Sequence, residues 1–120
     1  MSTLTQAPAR FSDLLALLWG ATISYLSLVP QTLLPESPVS DKVEHFAAYL
    51  LLALLALFAR TSLRKKLLVL LVILLFGAAI EFIQPSFNRQ LEFADMAANT
   101  GGALSGYALL LCINPMIRKR

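Results

Sequence analysis

Residues 67–83 read LLVLLVILLFGAAIEFI, an apolar run holding one acid, Glu81, near its end, with Arg64, Lys65 and Lys66 directly before it. A run of this kind is close to the ~20 residues that a helix needs to cross a hydrocarbon core. Three further runs of similar character accompany it, at about 11–29, 43–59 and 93–113. Short polar breaks separate them: Pro30, Pro35 and Pro38 mark the first, Pro85 the third, and Pro115 follows the last run. The connections are too short to hold another domain, so the helices should pack as an antiparallel bundle. The expected fold is all-α: a four-helix transmembrane bundle with short connecting loops, forming one domain over residues 1–120.

Composition points the same way. The chain has 120 residues, of which 58% are hydrophobic and 14% charged, and its mean hydropathy is +0.70. A soluble domain this small has too much exterior to hide so much apolar surface, so lipid must cover part of it. The net charge of +3 could fit nucleic acid. The basic residues, however, flank apolar runs instead of forming one patch, which is the pattern of membrane topology; no nucleic-acid partner is expected. The single Cys112 allows no intrachain disulfide and no cysteine-based metal site, and reads as a packing residue. Arg10 before an apolar run resembles a signal peptide. The run is long for one, though, and Ser27 to Pro30 makes a poor cleavage site, so it is expected to remain as the first helix.

Orientation follows from the cations. Arg10, Arg60, Arg64, Lys65, Lys66, Arg118, Lys119 and Arg120 fall on one side, and only Lys42 and Arg89 on the other. The excess of Lys and Arg in cytoplasmic segments places both termini in the cytoplasm. The acids divide the opposite way: only Asp13 lies near the cytoplasmic side.

Three helices carry polar residues that lipid would not tolerate. Asp41, His45 and Tyr49 are spaced i, i+4, i+8 and share one face of the second helix. Gly77, Glu81 and Gln84 form a stripe on the third, and Asp95, Asn99, Gly102 and Gly106 one on the fourth. His45, Glu81 and Asp95 each lie about two residues inside their helix, which at 1.5 Å per residue sets them at one depth. Ionisable groups are costly inside a membrane, so the stripes are expected to face each other in a polar cleft opening outward. Blander readings accompany each residue. Asp41 and Asp95 also suit the solvated start of a helix, and His45 could merely lock the bundle by bonding Glu81 or Asp95. Tyr49 reads as a packed residue, Gly102 and Gly106 as a close helix contact, and Trp19 and Tyr25 as interfacial anchors.

The pattern Asp41-Lys42-x-x-His45-Phe46-x-x-Tyr49, followed by Glu81-x-x-Gln84, Arg89, Asp95, Asn99 and the glycines 101, 102 and 106, resembles the VanZ-like family of small bacterial membrane proteins. The likeness covers about residues 11–113. It departs from the family pattern before Arg89, where Asn88 stands in place of the frequent glycine; Asn also tolerates a left-handed turn. The resemblance implies residence in the bacterial cytoplasmic (inner) membrane and work at the cell envelope. It also implies an association with susceptibility to the glycopeptide teicoplanin, but no agreed activity.

Two functions remain open. In the first, an enzyme acts on an envelope lipid or lipid-linked precursor. His45 would be its acid or base, supported by Asp41 and Tyr49; Glu81 or Asp95 would hold a proton. Lys42, Gln84, Arg89 and Asn99 would bind substrate, the two cations gripping a phosphate. In the second, the same cleft belongs to a non-enzymatic protein that binds a lipid or a glycopeptide, or another membrane protein, and its polar cluster is structural; a homo-oligomer fits either. Transport has less support, because four short helices without an inverted repeat make a poor alternating-access device. His45, Glu81 and Asp95 could be drawn as a one-His, two-carboxylate metal set, but no established metal-binding spacing is present, so no metal and no cofactor is expected.

Overall fold

In the computed structural model, residues 3–36, 39–87 and 90–118 are described. These residues form four α-helices and no strand: α1 (Thr3–Leu28), α2 (Asp41–Leu57), α3 (Leu63–Ile83) and α4 (Phe93–Arg118). Turns of 3-10 helix at Gln31–Leu33 and Gln84–Phe87 follow α1 and α3. Serine caps set two of the starts. The Ser40 hydroxyl accepts the Val43 N–H at 3.2 Å, and the Ser62 hydroxyl accepts the Lys65 N–H at 3.2 Å. Asp41 and Glu44 then occupy the first turn of α2, where the helix dipole favours acids. The cap on α3 also explains why that helix starts before its apolar run and draws Arg64, Lys65 and Lys66 into its first turn.

Side-chain links between helices give the topology. Ser12 of α1 donates to the Leu55 carbonyl at 2.5 Å, and Trp19 donates to the Ala48 carbonyl at 2.9 Å, so α1 and α2 run antiparallel. Phe46 lies at Gly102 and Leu50 at Gly106, so α2 and α4 run parallel. Their backbones meet through the glycines: a Cβ built on Gly106 would stand 2.6 Å from the Leu50 carbonyl oxygen and 2.9 Å from the Ala53 Cβ. Absence of side chains is what permits this approach. α2 supplies the middle of the core with Tyr49, Leu52, Ala53 and Leu57, packed against Ile23, Leu70, Ile73, Ala103 and Leu110.

The outer faces are apolar on every helix; Leu17 is 73% exposed and Val72 63%. Exposed apolar surface on this scale needs a covering other than water. Three helical stretches are long and apolar enough to cross a membrane: Arg10–Leu28, Leu63–Phe87 and Phe93–Ile113. The second helix is as long as its apolar run but begins two residues earlier, at Asp41. It has 17 residues, ends at Leu57, and opens on Asp41, Lys42, Glu44 and His45. Two smaller expectations are corrected. Cys112 is exposed, not packed: Leu110 takes the buried face, and two residues on is about 200° further round the helix. Trp19 is docked against α2 through its indole N–H, whereas Tyr25 is exposed.

Candidate functional site

The start of α2, the end of α3 and the start of α4 come together at one end of the bundle. His45 is the hub. Its Nδ1 lies 2.8 Å from Asn99 Oδ1 and 4.0 Å from Glu81 Oε1. Its Nε2 lies 3.5 Å from Asp41 Oδ1 and 3.8 Å from Asp95 Oδ2. With the Asn99 amide oxygen as its partner Nδ1 acts as donor, and Nε2 faces two carboxylates, which only accept when ionised, so the ring can hold a proton on either nitrogen or on both. Lys42 closes the cluster by donating from Nζ to Asp95 Oδ1 and to Glu92 Oε2, with Asp41 Oδ2 at 3.5 Å.

Burial divides the cluster into a wet side and a dry side. The Asp41, Lys42 and Glu92 side chains are partly exposed. Glu81 is wholly buried, and Tyr49, Gln84, Asp95 and Asn99 are each 5% exposed or less. On the dry side, both oxygens of Glu81, the Tyr49 hydroxyl, Asn99 Nδ2 and Gln84 Oε1 have no hydrogen-bond partner. Folded proteins leave few buried polar groups in that state. The carboxylates of Asp41, Glu81, Glu92 and Asp95 face one ammonium and one imidazole, so the cluster carries an excess of acid.

Beside it lies a cleft of about 630 Å³ between α1 and α2, roofed by Leu34, Pro35 and Glu36. His45 and Tyr49 line its inner wall. Trp19, Ile23 and Leu26 make one side apolar, and Glu36, Asp41 and Glu44 make the other acidic.

Most residues singled out in the sequence meet here: Asp41, Lys42, His45, Tyr49, Glu81, Asp95 and Asn99. Gln84 turns away; its amide donates to the Ser27 carbonyl at 3.0 Å and ties α3 to the end of α1. Arg89, with Asn88 before it, lies outside the described residues. Lys42 is engaged by three carboxylates instead of standing open for a phosphate. The possible metal set shifts as well. Ligand atoms of Asp41, His45 and Asp95 lie within 4.8 Å of one another, while Glu81 sits at the other ring nitrogen of His45. Two features escaped the sequence reading. Glu92 stands three residues before Asp95, a spacing that puts both on one side of a helix start. The first helix, which carries no acidic or basic stripe, walls the cleft; the one signal was Trp19, whose indole N–H needs an acceptor in an apolar setting.

No curated protein and no solved structure matches the chain. A family model does match, that of VanZ/LLP1, over residues 6–114. That span covers α2 and α3 whole, most of α1 and α4, and every residue of the polar cluster, and the chain belongs to the VanZ/LLP1 family.

Proposed function

We propose that this VanZ/LLP1 protein crosses the bacterial cytoplasmic membrane four times, with both termini inside. Its His45 cluster would then open at the outer leaflet and bind or act on the headgroup of an envelope lipid or lipid-linked precursor. One observation carries this reading: Glu81 is wholly buried with no hydrogen bond of good geometry to either oxygen, next to His45 and behind an open cleft. A cluster that served only to hold helices together would pair such a group, because an unmet buried carboxylate is costly. The cleft has the two characters that a lipid needs, an apolar wall on α1 and a polar wall on α2. His45 is oriented by Asn99 and has carboxylates at both nitrogens, so it can pass a proton between the buried and exposed sides.

The second reading, a binding or partner protein with a structural cluster, is favoured by Lys42, which bridges α2 to two acids at the start of α4. The two readings separate on nearly isosteric changes. Glu81→Gln and Asp95→Asn remove charge and proton exchange but leave packing almost intact. Each is expected to abolish the phenotype that the gene restores to a deletion strain, such as glycopeptide or envelope-stress tolerance, at normal membrane abundance. Full complementation by both variants would leave the structural reading standing.

A further inference from the structure

Two carboxylates, each also in contact with Lys42 through its other oxygen, flank His45 Nε2. The nitrogen faces Asp41 Oδ1 at 3.5 Å and Asp95 Oδ2 at 3.8 Å, and the other ring nitrogen is bonded to Asn99 Oδ1 at 2.8 Å. In the tautomer protonated at Nδ1, three lone-pair donors from two helices converge within 4.8 Å of one another. We propose that Asp41 Oδ1, His45 Nε2 and Asp95 Oδ2 form a binding site for one first-row divalent cation of the Zn²⁺ or Mn²⁺ type.

Geometry and surroundings support the site. Two ligands held about 2.1 Å from an ion at a tetrahedral angle lie about 3.4 Å apart; the distances at Nε2 need to tighten by a few tenths of an ångström, and the carboxylate oxygens, within 4.8 Å of each other, are brought in by rotation of the half-exposed Asp41 side chain. One imidazole with two carboxylates suits a borderline ion better than Mg²⁺, which favours oxygen and water. Three protein ligands leave a position open for water or a substrate oxygen. The surrounding groups act as orienting partners do at metal sites. Lys42 fixes Asp95 by holding Oδ1, which turns Oδ2 towards the imidazole. Asn99 fixes the ring. Glu81, wholly buried, has Oε1 4.0 Å from Nδ1, on the side of the ring where Asn99 is bonded.

The cation also resolves a conflict in charge. The cleft is lined by Glu36, Asp41 and Glu44, and Lys42 is already engaged, so an anionic phosphate would be repelled. A divalent ion with an open position lets an acidic wall hold a phosphate or pyrophosphate oxygen. This consequence rests on the proposed function; the ion site does not.

The test uses the full chain in lipid nanodiscs, freed of metal by dialysis against a chelator. Zn²⁺, Mn²⁺ and Mg²⁺ are titrated separately by calorimetry, and bound metal is counted by elemental analysis. The expected result is one equivalent of Zn²⁺ or Mn²⁺ per chain, with weaker binding of Mg²⁺. His45→Gln and Asp41→Asn should each weaken binding at least tenfold, while Asp13→Asn, at the other end of the bundle, should not change it. The Asp41 side chain is half exposed, so its variant should keep the wild-type melting temperature, measured alongside. Wild-type binding no tighter than that of a His45→Gln, Asp41→Asn double variant overturns the proposal. A negative titration together with loss of function in Glu81→Gln removes the metal site and leaves the proposed function; bound metal together with full complementation by Glu81→Gln and Asp95→Asn does the reverse.

Discussion

Gly102→Ala adds one methyl group and should separate the two helices that build the site. The new Cβ would sit against the Phe46 carbonyl, 2.9 Å from its carbon and 3.1 Å from the Phe46 Cα. Carbon atoms pack best about 3.5–4.0 Å apart, so α4 must move from α2 by about 0.6–1.1 Å. The obstacle is backbone on both sides and cannot rotate away. Overpacking of this kind typically costs about 1–3 kcal/mol. The same displacement would stretch the His45–Asn99 bond from 2.8 Å to about 3.4 Å or more, the edge of hydrogen bonding. Gly101→Ala is the matched comparison. Its Cβ would meet only the Phe46 ring at 3.5 Å, and replacing a mid-helix glycine by alanine gains about 0.5–1 kcal/mol in helix preference. Thermal melting in detergent, with membrane abundance measured in parallel, should place Gly102→Ala below wild type and Gly101→Ala at or above it. Equal melting temperatures for the two variants would refute the close α2–α4 contact as the element that sets the site.

Alkaline phosphatase fused after Glu36 should be active and after Lys65 inactive; the opposite result would invert the proposed orientation and move the cluster to the cytoplasmic side. Trp19 is the sole tryptophan and lines the cleft, so its fluorescence should shift when a lipid headgroup analogue binds; Trp19→Phe, which drops the bond to Ala48, should cost about 0.5–1.5 kcal/mol in melting experiments. The Arg60–Asp13 ion pair is partly exposed, so Asp13→Asn should change stability by less than about 1 kcal/mol and leave function intact. A larger loss of stability would mean that this pair anchors α1.

The sequence revealed the helices because lipid-facing surface demands apolar residues without interruption, as in 67–83. Helix ends were less legible. A cap such as Ser62 acts through one hydrogen bond, and it starts α3 on charged residues that hydropathy assigns to a loop. The site was legible as stripes, because Asp41, His45 and Tyr49 repeat every turn and a polar residue in an apolar run must find company. Pairing within the site was not. Nothing in the spacing says that Lys42 takes Asp95 and Glu92, or that Gln84 turns to Ser27, because those choices depend on how the helices rotate against each other. The role of α1 was hidden for the same reason: a wall of apolar residues looks alike in sequence whether it faces lipid or a cleft.

The 17 residues of α2 rise only about 25 Å, less than the ~30 Å thickness of an average hydrocarbon core. A short helix is accommodated by local thinning of the bilayer around it. On the proposed four-span topology, α2, which brings Asp41 and His45 to the cluster, would place a thinned patch beside the polar residues. Headgroups drawn down into that dimple would approach His45 while their chains stayed among neighbouring lipids. The protein should therefore be sensitive to acyl-chain length, working best in thin bilayers and losing its footing where long chains thicken the membrane.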